Sequence, residues 1–373
     1  IWIHAVSVGE VLGSAALIRK LLHHYPQTQI VVTTMTPTGS DRVKELFGDK
    51  VIHCYAPYDL PGPVRRFIKN IRPEMLILFE TEIWPNTIHQ CYQQGIPVLL
   101  ANGRMSARSA KGYRKLSGLT KSVMIELSAI AAQSETDGQR FIELGCPREK
   151  VLVSGSVKFD VSIPETLKRE AAVLRTQWAG RPSFIAASTH EGEDEQVLEA
   201  FAKVKRTYQD ALLILVPRHP ERFDDVATLI TKSGFELIRR SSGEPVNAQC
   251  DVLLGDTMGE LLLLYGCVDV AFVAGSLVPR GGHNMLEPAA WAMPVLSGPH
   301  LFNFQSVSEL LLSAEAMLIV EDSDALAQQI IKLFSSHEEK EKMGKSAEQV
   351  INQNRGALDK QFQLIQSLIK PMA

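Results

Sequence analysis

Glu10 is the first residue of this chain whose type and setting suit chemistry. It closes the string HAVSVGE (4–10), which leaves an apolar run, turns at Gly9 and enters a helical pattern. Two readings compete. A helix dipole stabilises a first-turn anion, so Glu10 is then simply a favourable ionised charge. The same turn at the mouth of an α/β domain is where a general base belongs, taking a proton from a hydroxyl as a leaving group departs. Spacing alone favours the simpler reading. A second acidic pair, Glu80 and Glu82, sits in ETEIWPN (80–86) beside Trp84, again just after an apolar run. These acids either bind sugar hydroxyls or a basic partner, or are solvated loop charges with Trp84 packed as a cap.

Cations concentrate elsewhere in the first half. Arg104, Arg108, Lys111, Arg114, Lys115 and Lys121 fall in one stretch without an acid, and Arg65, Arg66, Lys69 and Arg72 form a second cluster. Charge runs are usually solvated faces. These also suit an anionic lipid surface or a phosphorylated acceptor. Few aromatics interleave them, which disfavours single-stranded nucleic acid, and a net charge of −3 gives no global drive toward it.

The elements that must position these residues are short aliphatic runs alternating with helical stretches. Six candidate strands (1–6, 30–34, 75–79, 98–101, 129–132 and 151–154) are followed by six more (184–187, 212–216, 252–254, 270–273, 295–297 and 317–320). Such alternation predicts doubly wound parallel α/β sheets. The series breaks between Gly155 and Arg181 around a charged helix at 165–177, and 373 residues exceed one ordinary core. The resulting division is 1–157, 158–350 and a helical tail, 351–373, with Leu358, Phe362, Ile365 and Leu368 at helical spacing.

Ligands of open α/β sheets bind at the carboxyl ends of strands. In the second half those ends are rich in residues that hold anions. Ser156 and Lys158 follow Gly155, and Ser188, Thr189 and His190 end the next run. Arg218 and His219 lie between two prolines; Met258, Gly259 and Glu260 close DTMGE (256–260). Gly275 and Ser276 precede Arg280, Gly281, Gly282, His283 and Asn284, and Glu287 lies in the first turn of the helix expected there. Glycines let backbone N–H groups approach a phosphate, and a helix start favours its charge. Each loop alone reads equally as a turn; the succession carries the signal.

Other chemistries lack their marks. No dinucleotide or P-loop fingerprint, nucleophile elbow or HExxH occurs. The five cysteines are scattered without a CxxC pair, which argues against disulfides or zinc and fits a reducing compartment. No apolar run reaches the roughly 18 residues of a membrane span.

The strings HAVSVGE (4–10), ETEIWPN (80–86), NGRMS (102–106), SGSVKFD (154–160), PRHPERF (217–223) and GGHNMLEPA (281–289) together resemble the 3-deoxy-D-manno-octulosonic acid (Kdo) transferases, in the family's order. The resemblance implies a family-B glycosyltransferase (GT-B) fold: two Rossmann-like domains facing across a cleft, the first for a lipid A precursor, the second for CMP-Kdo, with the last helix returning to the first. It implies Glu10 as general base of an inverting transfer. Glu80, Glu82 and Arg104 would meet the acceptor. Ser156, Lys158, Arg218, His219, Met258, Gly259, Glu260, Gly275, Ser276, Gly282, Asn284 and Glu287 would meet the donor. No metal and no cofactor are expected, CMP-Kdo being a substrate. Neither is nucleic acid. The implied location is the cytoplasmic face of an inner membrane, reached through an anionic lipid surface and an N-terminal anchor preceding this chain. Competing readings are another GT-B enzyme, such as a lipid A disaccharide synthase or UDP-sugar epimerase, and a non-catalytic nucleotide-sugar or lipid binding module.

Overall fold

The computed structural model describes residues 1–369; the last four residues of the expected tail lie outside them. The chain forms two compact units, Ile1–Asp160 together with the segment from Asn354, and Val161–Gln353.

Unit 1 begins β1 (Trp2–His4), α1 (Val8–His24), β2 (Val31–Thr34), α2 (Pro37–Phe47), β3 (Ile52–Tyr55) and α3 (Pro61–Ile71). It continues with β4 (Leu76–Phe79), α4 (Pro85–Gln93), β5 (Val98–Gly103), α5 (Ala107–Arg114), α6 (Ser117–Glu126), β6 (Ala129–Ala132), α7 (Glu135–Glu143) and β7 (Val151–Val153). Unit 2 opens with α8 (Glu165–Gln177), β8 (Ser183–Thr189), α9 (Asp194–Thr207), β9 (Leu212–Pro217), α10 (Phe223–Lys232) and β10 (Leu237–Arg239). Then come β11 (Val252–Leu254), α11 (Leu261–Tyr265), β12 (Val270–Val273), α12 (Leu286–Ala290), β13 (Val295–Ser297), α13 (Gln305–Ser313), β14 (Met317–Ile319), α14 (Ser323–Ser335) and α15 (His337–Asn354). The final α16 (Ala357–Leu368) belongs to unit 1.

Each unit is built on a seven-stranded sheet, in the orders β3-β2-β1-β4-β5-β6-β7 and β10-β11-β9-β8-β12-β13-β14. Every pairing is parallel. Parallel strands covered on both faces read as continuous apolar runs, which is why twelve of the fourteen coincide with the expected runs to within two residues. The two additions, β3 and β10, are edge strands. With no partner on one side they carry His53, Cys54, Tyr55 and Arg239 and are half exposed, so no apolar run marks them.

Alternate residues feed opposite faces. Ile3, Val32 and Ile77 pack with Val11, Leu17 and Ile18 of α1, whereas Trp2, Val31, Leu76 and Leu78 pack with Val64, Ile68 and Ile88 on the other side. The close seat of α1 depends on Gly13, where a Cβ would stand 2.9 Å from the Phe79 ring.

The returning α16 completes the α1 face. Phe362 and Ile365 are buried in that core, and Gln361 donates from Nε2 to Ser154 Oγ at 3.1 Å. The Asp160 carboxylate accepts the N–H groups of Gly356 and Leu358, each at 2.6 Å, and so caps the start of α16. Lys20 pairs with Asp359 on the surface. Replacing Phe362 with Ala should therefore destabilise unit 1 by about 3–5 kcal/mol. Urea unfolding followed by a unit 1 probe checks this; an unchanged midpoint would mean α16 is not part of that core.

Candidate active site

Where the strand order of an α/β sheet reverses, neighbouring strands send their connections to opposite faces and a crevice opens at their carboxyl ends. In unit 1 the reversal lies between β1 and β4. The first turn of α1, just after β1, carries Glu10, and the loop leaving β4 carries Glu80 and Glu82.

Ser7 caps α1, and Glu10 stands three residues on, the spacing of a capping box. The Ser7 hydroxyl donates to Glu10 Oε1 at 2.8 Å, and the Val6 N–H donates to Oε2 at 2.8 Å. Glu10 is nonetheless buried. Burial raises its pKa from 4.5 to about 7, opposed by the Val6 and Ser7 bonds and assisted by the charges of Glu82 and Glu80. This corrects the expectation of a plainly ionised first-turn charge. Desolvation outweighs the two hydrogen bonds to the carboxylate, and the carboxyl is poised to exchange a proton at neutral pH.

Glu80 adopts a left-handed conformation, φ 62°, with its N–H on Ala101 O at 2.9 Å. Its Oε1 lies 3.9 Å from the position a Cβ on Gly13 would take. Glu82 accepts from Trp84 Nε1 at 2.5 Å, and the Trp84 ring meets His4 edge to face with centroids 4.8 Å apart. His4 is buried, bonded through Nδ1 to Thr33 Oγ1 at 2.8 Å, and held neutral by burial, its pKa near 4. The Asp59 carboxylate secures the start of α4 through the N–H groups of Asn86 and Thr87, at 3.0 and 2.7 Å. The ETEIWPN acids thus stand in a braced frame.

Arg104 is exposed just beyond β5, as are the five cations that follow it. Leu116 and Leu119 are exposed among them and Ile125 just after, an apolar component absent from the sequence reading. Arg65, Arg66, Lys69 and Arg72 are exposed on and just after α3.

Unit 2 reverses between β8 and β12. His190 follows β8; Gly275 to Asn284 follow β12. The rings of His190 and His283 stack with their Nε2 atoms 2.8 Å apart, one donating and the other accepting. Burial holds both below the usual histidine range, His283 at about 4, and the neighbouring Arg218 and His219 push His283 the same way. His219 lies 5.4 Å from the His190 ring, and Arg218 and Arg280 are exposed nearby in sequence order. Neutral imidazoles beside guanidinium groups make a setting that favours an anion.

The remaining candidate residues are placed as follows. Asn284 donates to Glu287 Oε1 at 2.9 Å and caps Leu286 N–H at 3.1 Å; burial raises the Glu287 pKa. Gly282 N–H bonds Gly275 O at 2.7 Å. Met258 and Gly259 are exposed after β11, while Glu260 is held by Arg240 at 2.7 and 3.1 Å, which lowers its pKa. Ser156 and Lys158, read with the donor half, lie within unit 1, before its boundary at Asp160. The N–H groups of Gly275 and Ser276 do not point into open space: Glu193 Oε2 and Oε1 accept them at 2.7 and 2.9 Å.

Sequence reasoning missed Glu193 and Asp194. Both are fully buried, Asp194 receiving Thr189 Oγ1 at 2.6 Å and the Arg222 guanidinium. Their only signal is the acidic run EGEDE (191–195) directly behind a buried strand. Among the described residues no group of three or more His, Cys, Asp or Glu is arranged to hold a metal, and no helix is long and apolar enough to cross a membrane.

Residues 1–161 match the family model described as 3-deoxy-D-manno-octulosonic-acid transferase (kdotransferase). Over 372 residues the chain is 46% identical to the 3-deoxy-D-manno-octulosonic acid transferase of Haemophilus influenzae, covering 99% of this chain and 87% of that one. The chain belongs to the Kdo transferase family. A second Kdo transferase, from Bordetella pertussis, is 35% identical over 93% of this chain and 82% of its own length. Among solved structures, a UDP-GlcNAc 2-epimerase from Neisseria meningitidis superposes with a TM-score of 0.62 over 98% of this chain and 100% of that one, at 13% identity. That likeness concerns the GT-B fold alone. As a Kdo transferase, the chain is a glycosyltransferase.

The environment of Glu10 has titration consequences. Its carboxyl should titrate near pH 7, read by site-specific carbon-13 NMR. Glu82→Gln removes a repelling charge and should lower the midpoint; Ser7→Ala removes a bond to the anion and should raise it. Because the folded carboxyl keeps its proton to higher pH than the unfolded one, its contribution to stability is complete below pH 4.5. That contribution is lost as pH rises toward about 7. Glu10→Gln should flatten that part of the stability profile in denaturant titrations at stepped pH.

Proposed function

We propose that this Kdo transferase moves Kdo from CMP-Kdo to a lipid A precursor, with Glu10 as the general base and inversion at the anomeric carbon. The observation that carries the proposal is the Glu10 carboxyl, buried at the β1–β4 switch point with its pKa raised to about 7. A base is most effective when its pKa lies near the working pH. Glu10 takes the proton of the acceptor hydroxyl as that oxygen bonds the anomeric carbon. The bond from that carbon to the phosphate oxygen breaks, and CMP leaves with the electron pair.

The donor belongs to unit 2 in this reading. CMP-Kdo carries a phosphodiester and a carboxylate, and Arg218, His219 and Arg280 supply donors beside the His190–His283 pair. Met258 and Gly259 offer backbone N–H groups, Gly282 shapes the loop through its bond to Gly275, and Asn284 with Glu287 suits ribose hydroxyls. The acceptor belongs to unit 1, where Glu80 and Glu82 meet sugar hydroxyls and Arg104 meets a phosphate. The exposed Leu116 and Leu119 among Arg104–Lys121, with Ile125 just after, suit an anionic membrane surface at the cytoplasmic face of the inner membrane.

The test is transfer of labelled Kdo, from CMP-Kdo generated in place, to a tetraacylated lipid A precursor. Glu10→Ala should lower the rate by about 10²–10⁴-fold while CMP binding, measured by calorimetry, is kept. Equal product from both proteins removes Glu10 from its role. No product from the wild type with CMP-Kdo turns the reading to other nucleotide sugars.

A further inference from the structure

Glu193 stands at the head of α9 with its side chain fully buried beyond the ends of β8 and β12. Its Oε1 accepts the N–H groups of Ser276 at 2.9 Å and Leu277 at 3.0 Å. Its Oε2 accepts those of Gly275 at 2.7 Å and His190 at 3.0 Å. A carboxylate has about four acceptor sites, and here backbone N–H groups fill them all. Three successive N–H groups converging on one point form the kind of nest that elsewhere receives a phosphate. In this chain the nest is filled from within.

The consequences spread from that contact. Gly275, at φ 72°, offers its carbonyl to Gly282 N–H at 2.7 Å, and any Cβ on it would stand 2.8 Å from the His283 ring. The Ser276 hydroxyl accepts Gly298 N–H at 2.8 Å, and Ser276 O accepts His300 N–H at 3.0 Å. Gly298 sits so close that a Cβ would meet Ser276 backbone at 2.3 Å. Glu193 therefore ties the ends of β8 and β12, and Ser276 extends the tie to the end of β13. The sheet core lies beneath this network and is built from other residues.

We propose that Glu193 is a positioning residue of the donor site: its carboxylate acts as an internal anion that sets the β8 and β12 loops so that His190, Gly282 and His283 face the donor. This rests on the reading of unit 2 as the donor side. Glu193 touches no substrate. The nest it fills is closed to the donor phosphate, which is left to the guanidinium and imidazole groups around it.

The test has three arms. In the wild type without any ligand, the amides of His190, Gly275, Ser276 and Leu277 should be protected together in hydrogen exchange; fast exchange there overturns the proposal. Glu193→Asp keeps the charge but is a methylene too short to hold all four bonds. It should raise the KM for CMP-Kdo by on the order of 10- to 100-fold, weaken CMP binding in step, and leave the KM for the lipid acceptor unchanged. Glu193→Gln, which turns an amide N–H₂ on N–H donors, should do the same or more. A folded Glu193→Asp protein with wild-type donor KM and CMP affinity overturns the proposal, as does an equal loss toward both substrates. A wild type that binds no CMP overturns the donor reading instead, and the exchange arm then judges Glu193 alone.

Discussion

The reversal of strand order in each sheet is the constraint on which the chemistry of this protein depends. Between β1 and β4, and again between β8 and β12, adjacent parallel strands hand their chains to opposite faces. The chains leaving the two strand ends diverge, so the ends stay accessible while the strands themselves are sealed between helices. Rigidity below and openness above follow from the same topology. It explains why the polar residues of interest come from segments as far apart in sequence as 10 and 82, or 190 and 283, yet meet in space.

Within these crevices, burial and hydrogen bonding contend for each carboxyl group. Glu10 receives two bonds and a helix start, but removal from water wins and its pKa rises. Glu260, less deeply placed and gripped by Arg240, moves the other way. Asp194 keeps a raised pKa despite the Arg222 guanidinium, because its burial is nearly complete. Under the proposed function, the same kind of group therefore serves as a proton acceptor in one crevice and as framework in the other. What separates the roles is the number of donors facing it and how much water remains.

The architecture was largely legible in the sequence because parallel strands buried on both faces leave unbroken aliphatic runs. Only the half-exposed edges β3 and β10 escaped, their His, Cys and Arg residues breaking the pattern. Glu10 was legible in place, through the turn at Gly9 between an apolar run and a helical pattern, but not in character, since its proton affinity depends on burial and on Glu80 and Glu82 far along the chain. Gly275 and Ser276 read as open to a ligand because glycine and serine after a strand look the same whether their N–H groups face a substrate or a buried glutamate. Glu193 and Asp194 looked like ordinary acids at a helix start. Their partners lie up to 84 residues away, at Leu277, and no local pattern encodes that distance.

The return of α16 to unit 1 also has a meaning for how the protein is made. A ribosome releases the chain from its N-terminus, and domains usually fold as they emerge. Here the α1 face of the first sheet still lacks Phe362 and Ile365 until the second unit has also been synthesised. Unit 2, continuous from Val161 to Gln353, is complete in sequence before unit 1 is. The unit whose synthesis starts first is thus the one that finishes folding last, and its exposed apolar face must be tolerated, or shielded by chaperones, for the length of the second unit's translation.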